Sequence, residues 1–377
     1  MKLSNVVIVY EAEVSARRRL VSFGYPPEVA GEIAVYLGQA TDLPDFFDEI
    51  AEAARRAEIE VEFVEIEELL VRLPDFRDRS ERTLLWSITD GVCFYRGSAV
   101  SAVSRLAGIA RFGSPATAQH LCQDKFASLA LASAAGLAIA PTKLLEAGVE
   151  IAALGNWPDR ADALFVKPNT LGAKIGIFAD SRCATFAEAT DRAARLWQRY
   201  RDRALIQPFV SGDDVRVSFM DAGGGLVDQL GVDRLVKDPA SETGGAFMTM
   251  KDNETLSGAR DVSGTRGGFG AAREAAFVPK MADLRRAADP RSRSAVAEIL
   301  AMSERFARLV GLRDYFSLDF RIDEEGMPTF FEFEVCPGVT IYDFQNYLAT
   351  THGLGLGEAL ARAFQISFER SRAIEEA

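Results

Sequence analysis

The chain has 377 residues, enough for two or three compact units at about 150 residues each. Hydrophobic residues make up 48% and charged residues 26%, a globular balance, while 43 Lys plus Arg against 55 Asp plus Glu leave a net charge of −12. So acidic a chain repels nucleic-acid backbones and anionic membranes, so neither is an expected partner, and a phosphate ligand would need a locally basic pocket.

Val6 to Tyr10 reads as a buried strand, Leu43 to Ala57 as an amphipathic helix, and Ile59 to Ile66 as a strand interleaved with acids. Leu84 to Ile88 and Gly91 to Tyr95 read as further strands. This alternation indicates a parallel sheet covered by helices. A helix is expected from about Gln119 to Ala135, stopped by Gly136. A strand near Leu164 to Lys167, a glycine-containing loop and a strand near Gly176 to Ala179 follow. Phe186 to Tyr200 has helical period, and Ala204 to Val210 and Val215 to Asp221 read as strands. From Lys237 to Asp289 the periodicity dissolves, as in a functional lid or a long insert. Ala295 to Val310 returns to helix, with Gly311 as its stop.

Tyr315 to Asp323 alternates strictly, with Ser317, Asp319, Arg321 and Asp323 on one face. Thr329 to Val335 alternates too, with Glu332 and Glu334 opposite Phe331, Phe333 and Val335. A turn at Glu325-Gly326 joins them as an antiparallel hairpin and sets Asp319 opposite Glu332, with Glu334 two residues on. Three carboxylates on one hairpin face repel one another unless water or a cation relieves them, and hard oxygens in this number suit Mg²⁺ shared with phosphates. Phe165-Val166-Lys167-Pro168 runs into a loop containing Gly172 and Gly176, where backbone N–H groups and a strand-end lysine could meet an anion. The chain holds no GxxxxGK[ST] and no GxGxxG, which removes P-loop and nicotinamide-dinucleotide readings.

Cys93, Cys122, Cys183 and Cys336 have neither CxxC nor CxxC–HxxH spacing, which argues against zinc or a disulfide framework and for a reducing cytoplasm. His120 and His352 are the only histidines, so His-based chemistry starts poorly. The first apolar run is short for a secretion signal. The longest weakly polar stretch, Ala127 to Pro141, falls short of the roughly 20 residues of a membrane span, so a soluble chain is expected.

The order Lys125, Lys167 with its glycine loop, Ile206-Gln207-Pro208-Phe209-Val210, Ser211-Gly212-Asp213-Asp214, then Asp319, Glu332, Glu334 and Pro337-Gly338 resembles the ATP-grasp superfamily, and within it the D-alanine–D-alanine ligases. The likeness spans about Phe112 to Phe344. It implies an α/β chain, α+β in the ATP-binding part, in three units: an N-terminal parallel α/β domain (1–113), a small central subdomain with the glycine lid loop (114–207), and a C-terminal subdomain carrying the metal hairpin in an antiparallel sheet (208–377). It implies a cytoplasmic ATP-dependent ligase that joins a small carboxylate to a small amine through an acyl phosphate. ATP and Mg²⁺, with Mn²⁺ as a substitute, would be cofactors, and a homodimer is compatible with the likeness.

Residue by residue, the resemblance gives Lys125 and Lys167 to the ATP phosphates, Gln207, Phe209 and Val210 to the adenine, and Asp214 to the ribose. The loop with Gly172 and Lys174 would close over the triphosphate, and Lys251 would be a further phosphate lysine. Asp319, Glu332 and Glu334 would hold the metal, with Glu334 where the family more often has Asn. Ser317 stands where the ligases place the Arg that stabilises the tetrahedral intermediate, leaving Arg321, Arg216 or Arg266 for that task. Arg96, read at a strand end, would hold a substrate carboxylate. Asp343, where the ligases use Ser, suits a basic acceptor better than D-alanine. The alternatives are an ATP-grasp carboxylase or kinase-like enzyme, a non-catalytic nucleotide-binding module and, more weakly, a carboxylate-rich hydrolase.

Overall fold

The structure is a computed structural model that describes residues 2–40, 47–88, 96–172, 174–223, 228–236, 243, 246–250, 280–287, 290–337, 344 and 348–375. The first unit runs β1 (Asn5–Tyr10), α1 (Glu13–Ser22), α2 (Pro27–Ala40), α3 (Phe47–Arg56), β2 (Glu60–Glu65), α4 (Leu69–Asp78), β3 (Thr83–Ser87), α5 (Arg96–Leu106) and β4 (Ala110–Phe112). Its strands pair in parallel in the order β2-β1-β3-β4. Val6, Val7, Ile8 and Val9 are all fully buried, because the sheet is covered on both faces. Val6 and Ile8 face one core with Ile50 and Ala54 of α3, while Val7 and Val9 face another with Phe76 of α4 and Val100 of α5.

The single helix expected at 119–135 is two: α6 (Ala116–Gln123) and α7 (Lys125–Ala134). Asp124 breaks them. Its backbone is extended, and its Oδ1 accepts from Ala127 N at 3.0 Å as the cap of α7. Lys125 therefore begins a helix, with its N–H donating to the Asn169 carbonyl at 3.2 Å while Asn169 Oδ1 accepts from Phe126 N at 2.9 Å.

The central sheet holds β5 (Thr142–Glu146), β6 (Val149–Leu154), β7 (Leu164–Pro168), β8 (Arg182–Cys183) and β9 (Ala204–Pro208), antiparallel in the order β6-β5-β9-β7-β8. One face packs on α8 (Phe186–Tyr200) through Leu196 and Tyr200, and on Leu20 and Ile33 of the α1–α2 pair. No strand forms at 176–179. Ile175 N and Ile177 N instead turn back onto the carbonyls of Gly172 and Lys174, both at 2.9 Å, and a short 3-10 helix follows at Ala179–Ser181.

The third sheet holds β10 (Asp213–Met220), β11 (Asp228–Val236), β12 (Lys280–Asp283), β13 (Tyr315–Ile322) and β14 (Pro328–Glu334), antiparallel in the order β12-β11-β10-β13-β14. Its inner face buries Phe316, Phe320, Phe330 and Phe333 against Phe306 of α9 (Pro290–Val310), and Leu129 of α7 joins the same core. The final helix, α10 (Leu356–Glu375), returns to the first sheet, where Phe364 packs on Trp86 and Phe112. The central sheet runs on to Pro208, past the expected bound at 207, and α1–α2 share a core with that sheet, α7 with the third sheet and α10 with the first. Among the described residues, no helix is long and apolar enough to cross a membrane.

In the hairpin, Asp319 pairs with Glu332 and Ser317 with Glu334, the register expected from the sequence. Beyond Asp319 the register slips, so Phe320 faces Phe330 and Phe331 is left over as a bulge. The Phe330 N–H donates to the Ala138 carbonyl at 2.9 Å. Phe330 thus enters the core, and Phe331, expected there, turns to the opposite side.

Gly212, in the short link from β9 to β10, has φ +133°, and a Cβ on it would lie 2.0 Å from the Ile322 carbonyl oxygen. Gly212→Ala is expected to destabilise the fold by at least about 1–3 kcal/mol from the backbone conformation alone. Urea unfolding checks this, and an unchanged midpoint would contradict it.

Candidate active site

The late sheet offers a face on which the register sets unlike charges opposite each other: Arg216 faces Asp319, and Asp214 faces Arg321. The contacts follow the register. Arg216 Nε and Nη2 donate to the two Asp319 oxygens at 2.9 and 3.1 Å, and its Nη1 lies 3.4 Å from Glu334 Oε2. Arg321 Nε lies 2.9 Å from Asp214 Oδ1, and its Nη1 and Nη2 each donate at 2.7 Å, to the carbonyls of Val210 and Ala246.

The lysines approach from the other side. Lys167, at the end of β7, is buried, with its ammonium 5.0 Å from the centre of the Phe331 ring. The bulge that turns Phe331 into the cleft creates this contact. Lys125 stands behind Glu332, 3.4 Å from its Oε2, and donates to the Leu171 carbonyl at 2.8 Å. It therefore ties the start of the glycine loop to the acid hairpin.

These groups titrate abnormally. Burial lowers the Lys167 ammonium to about 8, helped by the nearby charges of Lys125 and Arg321 and opposed by Glu332. Burial likewise pushes Asp319 up to about 6, against the pull of Arg216, with smaller repulsion from Glu334 and Glu332. Glu332 feels burial too, but Lys125 and Lys167 outweigh it and hold the carboxyl below its usual value.

Between the two sheets lies a cavity of about 270 Å³. One end is aromatic: Phe165, Phe209 and Phe247 have ring centres 5.0 to 6.1 Å apart. Arg182 and Arg321 lie 4.7 and 5.2 Å from the centre of the Phe209 ring. The other end carries Lys167, Arg216, Asp319, Glu332 and Glu334. Gln207, Val210, Asp214 and Lys174 also line the wall, Lys174 in a turn at φ +65°.

The cavity thus gathers most of the residues singled out in the sequence. Arg321, expected as one stand-in for the missing oxyanion arginine, is instead committed to Asp214 and two carbonyls at the aromatic end. Arg96 opens helix α5 rather than ending a strand, and its side chain lies outside the described residues, as do Lys251, Arg266 and Asp343. Phe165, Phe247 and Met248 line the cavity without having been singled out. Phe247 and Met248 sit inside the aperiodic stretch expected to form a lid, and no spacing marked them.

Among the described residues no three of His, Cys, Asp and Glu stand close enough together to form a metal cluster. Asp319 and Glu334 are drawn to Arg216, and Glu332 to Lys125. The donor chemistry nevertheless fits a hard divalent ion: three carboxylates line one cavity, and Asp319 is held towards its protonated form by burial and by its acidic neighbours, a penalty that a cation relieves.

No protein-family model matches the chain. A D-alanine–D-alanine ligase of Citrifermentans bemidjiense is 25% identical over 272 residues, covering 72% of this chain and 75% of that protein. The crystal structure of a D-alanine–D-alanine ligase from Bacillus anthracis superposes with a TM-score of 0.63 at 14% identity, covering all of both chains. A structure of that enzyme complexed with ATP gives 0.62 at 12% identity, covering 99% of this chain and 100% of that one. The parallel first sheet, the two antiparallel sheets and the charged cleft between them give this chain the ATP-grasp fold. In fold and in sequence it is D-alanine–D-alanine ligase-like.

Lys167 gives a signed pH dependence. Its folded value of about 8 lies below the unfolded value of 10.5, so the unfolded chain holds the extra proton in between, and the ligand-free fold gains stability as pH rises through that window. A bound polyphosphate favours the charged form, so ATP binding near pH 8 should take up about half a proton. Calorimetry in buffers of different ionisation enthalpy reads this uptake. Lys167→Met should abolish it, and equal uptake by the variant would contradict the assignment.

Proposed function

We propose that the chain is an ATP-dependent carboxylate–amine ligase, forming an amide or peptide bond between two small substrates and releasing ADP and phosphate. The observation that carries this reading is the single cavity with an aromatic end for a base and, at its other end, Lys167 facing Asp319, Glu332 and Glu334 with Arg216 among them.

In this reading Phe165, Phe209 and Phe247 clasp the adenine, Asp214 meets the ribose, and Lys167 holds the phosphates. Lys125 positions the glycine loop against Glu332, and the loop with Gly172 and Lys174 excludes water over the triphosphate. Asp319, Glu332 and Glu334 would hold Mg²⁺ or Mn²⁺, which when bound neutralises phosphate charge. A substrate carboxylate oxygen attacks the γ-phosphorus and ADP leaves. The amine then attacks the acyl carbon, and phosphate departs as the amide forms. Positioning and charge account for both transfers, so no histidine is required.

Arg216 is the cation we assign to the oxyanion. Ser317 is fully buried, with its hydroxyl 3.5 Å from Glu334, and is too short for the task, while Arg321 is engaged elsewhere. Arg216 reaches the acid end across the strand from Asp319, so the charge missing from one strand is supplied by its neighbour. Cys122, Cys183 and Cys336 form no disulfide among the described residues.

The test is ADP release across a panel of amino acids, with and without hydroxylamine as a trap for acyl phosphate. Lys167→Ala and Glu332→Ala should each lower amine-dependent turnover by about 10²–10³ or more. Arg216→Ala should lower kcat by a similar factor while leaving KM for ATP nearly unchanged. Near-normal turnover in any of these misplaces the site. Ser317 favours one second reading, a nucleotide-binding module without catalysis, for which ATP would bind tightly and no ADP would appear under any condition. D-alanine belongs in the panel on the name of the curated relative, and D-alanyl-D-alanine as the main product would overturn the sequence-based expectation of a basic acceptor.

A further inference from the structure

Gln207 is 2% exposed and lies in β9 opposite Phe165, on the wall of the cavity. Its side-chain amide has two orientations of nearly equal shape, one presenting an oxygen acceptor to the cavity and the other an NH₂ donor. The neighbouring hydrogen bonds decide between them. Thr142, fully buried in β5, donates its hydroxyl proton to the Ala140 carbonyl at 2.8 Å. A carbonyl can only accept, so that proton is spent and Thr142 Oγ1 has only lone pairs left to offer. Gln207 Nε2 lies 2.8 Å from this oxygen and donates to it. The reverse orientation would set two oxygens against each other in a buried place, losing the bond and stranding an acceptor. Gln207 Oε1 is accordingly turned away from Thr142, on a side chain that lines the cavity.

An acceptor fixed beside the aromatic end has a chemical consequence. A purine seated among Phe165, Phe209 and Phe247 can donate from a 6-amino group to Oε1, whereas a 6-oxo group brings oxygen against oxygen. We infer that Thr142 is a specificity-determining positioning residue: by fixing the orientation of the Gln207 amide, it makes the cavity select a 6-amino over a 6-oxo purine nucleotide. This rests on the nucleotide reading proposed above. Thr142 touches no base itself and acts through Gln207.

The experiment is equilibrium binding of adenosine and inosine triphosphates, which differ at the purine 6-position, to the full chain, so the result does not depend on ligase turnover. Wild type should prefer the adenine nucleotide by about tenfold or more, the scale of one net hydrogen bond. Thr142→Val keeps the shape and removes the acceptor, and should narrow the preference by about tenfold with the thermal midpoint little changed, while Thr142→Ser should keep the wild-type ratio. A general packing role would weaken both nucleotides alike and leave the ratio where it was. Should Thr142→Val melt below the assay temperature, Thr142→Ala, which also removes the acceptor, is read on the same criterion. An undiscriminating wild type, or a valine or alanine variant with the wild-type ratio, overturns the inference alone. Failure to bind either nucleotide removes the nucleotide reading and the inference with it. Selective binding without amide formation leaves the inference standing and defeats only the ligase.

Discussion

Everything in the cleft depends on keeping several carboxylates charged in a confined space. At an effective dielectric of about 20, two like charges about 4 Å apart cost about 4 kcal/mol, so acids crowded on one sheet face would protonate or push the strands apart. The sheet answers by setting a cation on either side of the adjacent acids Asp319 and Glu332. Asp233, Arg216, Asp319 and Glu332 stand opposite one another on successive strands, and Lys125 closes the row behind Glu332. The raised value of Asp319 and the lowered value of Lys167 show that the balance is incomplete: both groups sit in a place where a further partner of opposite charge is welcome. A nucleotide polyphosphate with a divalent ion offers both charges at once.

On the ligase reading proposed above, the same row of charges lets the site keep Ser317. In an antiparallel pair a cation can reach the same point from either strand, and Arg216 does so from β10. Bidentate contact with Asp319 fixes its plane, and the longer approach to Glu334 spreads its charge across the acid end. Glu334 thereby shares one cation with Asp319.

Much of this was legible in the sequence, for physical reasons. Period-two alternation fixes which side of a strand a residue occupies, so the pairing of Asp319 with Glu332 followed from the position of the turn. The bulge at Phe331 was not legible, because it arises where the Ala138 carbonyl takes the Phe330 N–H, a contact between segments far apart in the chain. Asp124 carried a cap signal, but good helix formers on both sides masked the break. α10 has a regular apolar stripe at Leu356, Ala359, Leu360, Ala363, Phe364 and Phe368, yet it was not among the elements expected from the sequence, and its place against the first sheet depends on contacts far apart in the chain. The role of Thr142 could not be read from sequence at all, since it depends on where one hydroxyl proton goes.

The most direct measurement is anomalous X-ray diffraction from crystals of the full chain grown with Mn²⁺ and a non-hydrolysable ATP analogue. The account predicts a manganese peak bound by carboxylate oxygens of Asp319, Glu332 and Glu334, with the analogue's phosphates beside the Lys167 ammonium and its base among Phe165, Phe209 and Phe247. Manganese bound elsewhere, or the analogue seated outside this cavity, would contradict it.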